Sequence, residues 1–244
     1  MFKNDAPSSQ VSQVGTRASR ARRFVWMSRL TILSILLFLL ASYFAVNAIS
    51  AILSATVVWY FASGGYDQAV INADRTYWWC TLWKAPFAWV GRKEKYADPK
   101  WQAIALKGMA LFRKGSIKEA YPYLSYAAVH GSPYMSNYPL LGDLFLEAGV
   151  AGIHLGYYEE AVIYLRRAVQ QSSRTAEAYF YLGEALIRVD AVKGAKEAWR
   201  KAIEEGKEPW KSKASNRLRL LGKPRRVVNG VLHSEQLKPQ SSRD

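Results

Sequence analysis

The chain has 244 residues and carries 34 lysine and arginine residues against 19 aspartate and glutamate residues, a formal net charge of +15. A single cysteine excludes an intrachain disulfide. The basic balance favours acidic protein partners, anionic lipid or nucleic acid. The sequence contains no glycine-rich phosphate loop, no paired-cysteine motif and no His-Glu-x-x-His motif. We therefore expect no enzymatic activity, no cofactor, no metal centre and no small-molecule substrate.

Residues 1–29 form a polar, serine-containing and basic segment, which predicts a disordered tail. Its basic residues collect towards its end, at Arg17, Arg20, Arg22, Arg23 and Arg29. Basic residues on one flank of an apolar span keep that flank in the cytoplasm. A contact with anionic lipid headgroups is the alternative interpretation of the same cluster.

Residues 30–62 contain no charged residue. An apolar run of about 18 residues or more predicts a transmembrane helix. As a helix, this run would measure roughly 50 Å, against about 30 Å of hydrocarbon in a bilayer. We therefore expect residues 30–50 to lie in lipid and the remainder to continue into the soluble region. A cleaved signal peptide is disfavoured because its apolar part is about 7–15 residues long.

Residues 63–98 predict an aromatic-rich helix followed by a loop. Gly64 and Gly65 end the preceding helix, and a new helix is expected from Tyr66 to Leu82. The tryptophans in and after this helix, Trp78, Trp79 and Trp83, suit either a membrane interface or core packing beneath the repeats. We also hypothesise that residues 51–62 and this helix pack together as an additional half-repeat.

A repeat begins near residue 101. Three glycine–alanine pairs share a spacing of 12 residues: Gly108 and Ala120, Gly149 and Ala161, and Gly183 and Ala195. The second and third pairs are offset by 34 residues. With these positions the sequence resembles the tetratricopeptide repeat (TPR) family, which is built from 34-residue helix-turn-helix units. The units span residues 101–134, 142–175 and 176–209.

The spacing has a physical reason. Small residues let the two helices of a unit approach closely, while large residues such as Trp199 fill the space between them. Residues 210–222 predict a capping helix, and residues 223–244 a basic tail. The expected fold is therefore all-α, with one N-terminal transmembrane helix followed by an α-solenoid of about three TPR-like repeats and a capping helix.

The resemblance implies that the first helix of each unit lines a concave groove for a protein partner. The matching positions are Leu106, Met109, Phe112, Leu146, Glu147, Val150, Phe180, Tyr181 and Glu184. This mixed apolar and acidic set suits an amphipathic helix. Most residues of the family's carboxylate clamp are missing, so a chaperone C-terminal peptide is not the expected ligand. Alternatively, some of these residues pack against the cap or the insertion near residues 133–141.

These features predict a single-pass protein of the inner (plasma) membrane, with a cytoplasmic N-terminus and an extracytoplasmic or periplasmic repeat domain. It would act as an adaptor or scaffold that binds a protein and assists assembly or stability of a cell-envelope complex. One alternative is a structural subunit of a membrane complex, held through the transmembrane helix and the tryptophan-rich segment. Another is a basic protein that binds nucleic acid or anionic lipid, although cytoplasmic repeats would be needed for nucleic acid.

Overall fold

The computed structural model describes residues 8–84, 99–135 and 138–222. Regular structure in these ranges is entirely helical, which confirms the predicted all-α class. The first seven residues, the loop expected within residues 85–98 and the tail expected at 223–244 lie outside the described residues. The chain divides after Leu106 into two compact units.

Nine α-helices follow one another in the described residues. Their bounds are α1 Ser8–Ala62, α2 Tyr66–Trp79, α3 Pro99–Arg113, α4 Ile117–Tyr126, α5 Leu141–Leu155, α6 Tyr158–Gln171, α7 Thr175–Arg188, α8 Val192–Glu204 and α9 Trp210–Gly222. A π-helical turn, Cys80–Lys84, continues α2. Another, Ala127–Gly131, continues α4 and is followed by a short 3₁₀ turn, Ser132–Tyr134.

The N-terminal segment departs from expectation, because α1 begins at Ser8 and not near residue 30. The prediction of a disordered tail is therefore wrong for residues 8–29. Extending an existing helix adds one hydrogen bond for each residue that becomes fixed, so a stable apolar helix favours growth into its flank. No glycine or proline follows Gly15 in this flank, and arginine and alanine are good helix formers.

The apolar part of α1, Arg29–Ala62, has a mean hydropathy of 2.3 over its most apolar window, and only 6% of that window is buried. Among the described residues it is the one helix long and apolar enough to cross a membrane. Its last turns behave differently from its first. Val46, Ser50, Val57 and Phe61 are buried, because the end of α1 packs along α2 in a helical hairpin.

One turn geometry joins the helices of four hairpins. A residue with positive φ follows each first helix: Gly64 at 80°, Gly115 at 91°, Gly156 at 87° and Asp190 at 58°. Its N–H bonds the carbonyl oxygen three residues back, and the next N–H bonds the one five residues back. The α1–α2 hairpin therefore closes with the same turn as the three repeats. That it forms the first layer of the solenoid stays a prediction.

Each repeat places a glycine of its first helix against a large residue of its second. A Cβ added at Gly108 would lie 2.9 Å from the backbone nitrogen of Leu124. At Gly149 it would lie 2.4 Å from Leu165, and at Gly183 2.4 Å from Trp199. The two helices of each repeat therefore approach so closely that only a very small residue fits at these positions, as the sequence predicted.

In the α1–α2 hairpin, the larger residue of the equivalent pair is on the first helix and the smaller one is on the second. Counting from its turn, Val57 takes the glycine position and Ala73 takes the position of Leu124, Leu165 and Trp199. Both side chains are buried. A larger residue on one helix and a smaller one on the other keep the filled volume similar, which protein cores tolerate well.

Successive hairpins from α4 onward stack in order. Helix α4 packs on α5, α6 on α7 and α8 on α9, while α5, α7 and α9 also contact one another in sequence. Helix α9 buries Ala214 against the third repeat and ends the stack as a cap. With the shared turns and the glycine contacts, this is a fold of the TPR type, as predicted.

Candidate protein-binding surface

The predicted groove positions are mostly not open. Leu106, Met109, Leu146, Glu147, Val150 and Phe180 are buried. Intermediate exposure remains at Phe112, Tyr181 and Glu184. The expectation of an open groove lined by all nine residues therefore needs correction. For Leu146, Glu147 and Val150, burial follows from the stacking, because α5 is covered by α4, α6 and α7 together.

In the third repeat, the capping helix covers the predicted groove. The Trp210 ring of α9 lies 5.4 Å from Phe180 and 5.3 Å from Tyr181, between ring centroids. Arg217 donates hydrogen bonds of 2.7 and 2.8 Å to the two carboxylate oxygens of Glu184. The cap thus satisfies both the aromatic and the acidic part of this surface, as the alternative interpretation proposed.

Glu147 is the most deeply buried charged residue of the predicted groove, here called the inner face, with 2% of its surface exposed. Its Oε1 accepts a hydrogen bond of 2.9 Å from Arg113 and lies 3.7 Å from Arg174. Its Oε2 has no hydrogen-bond partner. Burial raises the pKa of this carboxyl to about 7, although both arginines act in the opposite direction.

The guanidinium groups around Glu147 remain accessible. The side chains of Arg113 and Arg174 are 30% and 38% exposed. Arg174 also donates hydrogen bonds of 2.9 and 2.8 Å to Glu177. This surface presents two planar cations, and half-buried Phe112 is next to Arg113 in the chain. Such a set can bind the carboxylates and apolar side chains of another polypeptide.

Sequence reasoning placed Arg113 in the groove but missed Arg174 and the ion pairs between layers, although a signal for the pairs exists. Arg113 and Glu147 are 34 residues apart, and Glu184 and Arg217 are 33 apart. Opposite charges separated by about one repeat length face each other across neighbouring layers. A search of the repeat register for such pairs would have found both.

A second pair of contacts joins the first repeat to the second, at a distance from the groove positions. Sequence reasoning missed these contacts as well. The rings of Tyr121 and Tyr157 stack with centroids 5.1 Å apart. The Tyr121 hydroxyl donates to Glu160, and burial raises the pKa of Tyr121, helped by that carboxylate. This contact joins α4 to the beginning of α6.

The three predicted interface tryptophans divide into two kinds. Trp79 faces α1: its indole Nε1 donates to the carbonyl oxygen of Val46 at 3.4 Å. Trp78 and Trp83 point outward, with 59% and 56% of their surface exposed. Trp79 therefore packs within the α1–α2 hairpin, and the Trp83 ring stacks on it with centroids 5.8 Å apart. The predicted topology arginines at 17, 20, 22, 23 and 29 all lie within α1.

No protein-family model matches the chain, and no curated protein matches it. Among solved structures, it is similar to a double mutant of MamA from RS-1, with 15% identity, 64% of this chain and 74% of that chain covered, and a TM-score of 0.44. A putative kinesin light chain with TPR-like repeats from Podosopora anserina has 16% identity, 68% and 82% coverage and a TM-score of 0.45. The Sgt2 TPR domain from Aspergillus fumigatus has 19% identity, 59% and 98% coverage and a TM-score of 0.40.

Proposed function

We propose that this protein is a membrane-anchored TPR adaptor that binds a protein partner and assists the assembly or stability of a cell-envelope complex. The observation that carries the proposal is the long, exposed apolar part of α1, joined without a break to a hairpin with the repeat-type turn. Helical-repeat layers are scaffolds for protein binding. An apolar helix about 30 Å long or more on one end would hold such a scaffold at a bilayer.

The orientation of the anchor follows from its flanks. Five arginines precede the apolar run, and on the other side only Arg75 is basic before Trp83. This asymmetry supports a cytoplasmic N-terminus and an extracytoplasmic repeat domain. The test is a pair of reporters fused to the C-terminus, alkaline phosphatase and green fluorescent protein. Phosphatase activity without fluorescence is expected; fluorescence without phosphatase activity would refute the orientation.

For the partner, the accessible part of the inner face is the best-supported surface. We propose that Phe112, Arg113 and Arg174 contact an amphipathic segment that carries apolar and acidic side chains. Arginines and aromatic residues are enriched at the centre of protein interfaces. Glu147 and Glu177 orient the two guanidinium groups, so an incoming carboxylate would bind to preoriented cations.

The test compares an apolar position of intermediate exposure, Phe112, with an exposed one, Ile163, in the full-length protein. Phe112→Asp alters the inner face, and Ile163→Asp is the matched control on α6, where the side chain is 54% exposed. Partners are isolated from solubilised membranes and quantified against the unmodified protein. Loss of a stoichiometric partner from Phe112→Asp alone is expected. Loss from Ile163→Asp alone would move the binding surface to the second helices.

A further inference from the structure

The end of α2 has an apolar surface that is largely exposed in the described structure. Trp78, Leu82 and Trp83 are 59%, 61% and 56% exposed. Between Thr76 and Trp83 the sequence has no charged residue, whereas Asp67, Asp74 and Arg75 all precede Thr76. The helix is therefore polar at its beginning and apolar at its end.

The hairpin fixes where this apolar end lies along α1. Because α2 runs antiparallel to α1, its end returns towards the middle of α1. The hydrogen bond from Trp79 Nε1 to the Val46 carbonyl oxygen ties the two helices at that level, and the turn Cys80–Lys84 also contacts α1. The apolar end of α2 is thus level with residues close to Val46.

The position of Val46 along α1 gives its approximate depth in a bilayer. From Arg29 to Val46 the helix rises about 26 Å, at about 1.5 Å per residue. The hydrocarbon of a bilayer is about 30 Å thick. If Arg29 marks the near boundary, Val46 lies about 4 Å inside the far boundary, and helix tilt would place it deeper.

We infer that the end of α2 enters the bilayer interface, with Trp78, Leu82 and Trp83 in contact with lipid at the boundary of headgroups and hydrocarbon. This inference rests on the proposed membrane span of α1. Tryptophan is the residue type enriched at that boundary. The Lys100 ammonium lies 5.5 Å from the Tyr77 ring centroid and supplies a positive charge beside this end, suited to lipid phosphates.

Three polar side chains of the same end donate to backbone carbonyl oxygens. Thr76 and Thr81 donate their hydroxyl protons to the carbonyl oxygens of Asn72 and Tyr77, each at 2.8 Å. The indole N–H of Trp79 is satisfied by α1 as described above. In an apolar medium, unpaired polar groups are costly, so internal pairing is what partial insertion requires.

The experiment measures depth in the full-length protein with single nitroxide labels. The native cysteine is removed by Cys80→Ala, and one cysteine is introduced as Leu82→Cys, Ile71→Cys or Leu37→Cys. Ile71, on the same helix and 45% exposed, is the matched control, and Leu37 reports the span. The protein is reconstituted into vesicles of phosphatidylcholine and phosphatidylglycerol without any partner. Collision with oxygen and with a water-soluble nickel complex is then compared at each site.

We expect the ratio of oxygen to nickel accessibility to be highest at Leu37, and severalfold higher at Leu82 than at Ile71. Trp78→Cys, as a second interface site, should behave like Leu82→Cys. Equal, aqueous values at Leu82, Trp78 and Ile71, with Leu37 still deep, would overturn the inference and indicate a protein partner for this surface. An aqueous value at Leu37 would instead overturn the proposed anchor itself.

Discussion

The contact between Gly183 and Trp199 permits a quantitative test of the repeat packing. An alanine Cβ at position 183 would lie 2.4 to 2.7 Å from three atoms of the Trp199 ring. The ring is fully buried and rigid, and its Nε1 donates to the Phe180 carbonyl oxygen at 3.2 Å. The ring must therefore move, and its hydrogen bond is strained or broken.

The expected magnitude follows from three opposing effects. Overpacking costs about 1–3 kcal/mol, and a buried indole N–H left unpaired costs about 1–3 kcal/mol. Alanine gains about 1 kcal/mol over glycine in helix propensity. Gly183→Ala should therefore lower the free energy of unfolding by about 1–5 kcal/mol.

The assay is urea unfolding of the full chain in mild detergent, followed by near-ultraviolet circular dichroism. Gly194→Ala, in the same repeat, is the control, because its Cβ would meet nothing nearer than Leu186 at 3.4 Å. It should raise stability by up to about 1 kcal/mol. A Gly183→Ala protein as stable as the unmodified one would refute the close-approach reasoning.

Three further predictions concern charge and backbone conformation. Burial raises the pKa of Glu147 from 4.5 to about 7. The free energy of unfolding should therefore fall by up to about 3 kcal/mol as the pH rises from 4.5 to about 7. Thermal unfolding over this range should show no such trend for Glu147→Gln, and parallel pH profiles would contradict the assignment. Arg217→Met leaves the half-buried Glu184 carboxylate without its bidentate partner, so limited proteolysis should release α9 sooner than in the control Arg219→Met; equal cleavage rates would disprove this role. Gly156→Ala has open space around it but a φ of 87°, so urea unfolding should show a loss of about 1 kcal/mol from backbone strain alone, and an unchanged midpoint would exclude such strain.

The helix pairs were predictable because their signal is local and periodic. Gly149 and Gly183 recur at the repeat length, and each needs its own partner helix only. The exchanged pair Val57 and Ala73 was not found, because a search for glycine at that position ignores a packing that conserves volume. The helix before Arg29 was missed because composition reports intrinsic preference and not growth from a neighbouring helix.

The groove was the least predictable part. Periodicity identifies the residues on the inner face of each unit, but it does not indicate how closely the next unit approaches. Leu146 and Val150 are therefore buried where an open surface was expected. The cap had the same effect in the third repeat, where the alternative interpretation, that groove residues pack against the cap, holds. Phe112 and the two arginines near it remain as the candidate contact surface.

The stacking of successive layers also has a consequence for how the chain folds during synthesis. The ion pairs between layers join residues only 34 and 33 positions apart. Helical proteins dominated by such local contacts fold in microseconds to milliseconds. Ribosomes add about 5–20 residues per second, so one repeat takes roughly 2–7 seconds to emerge. Each layer can therefore complete its packing long before the next is made, and only one unpaired apolar edge is exposed at a time.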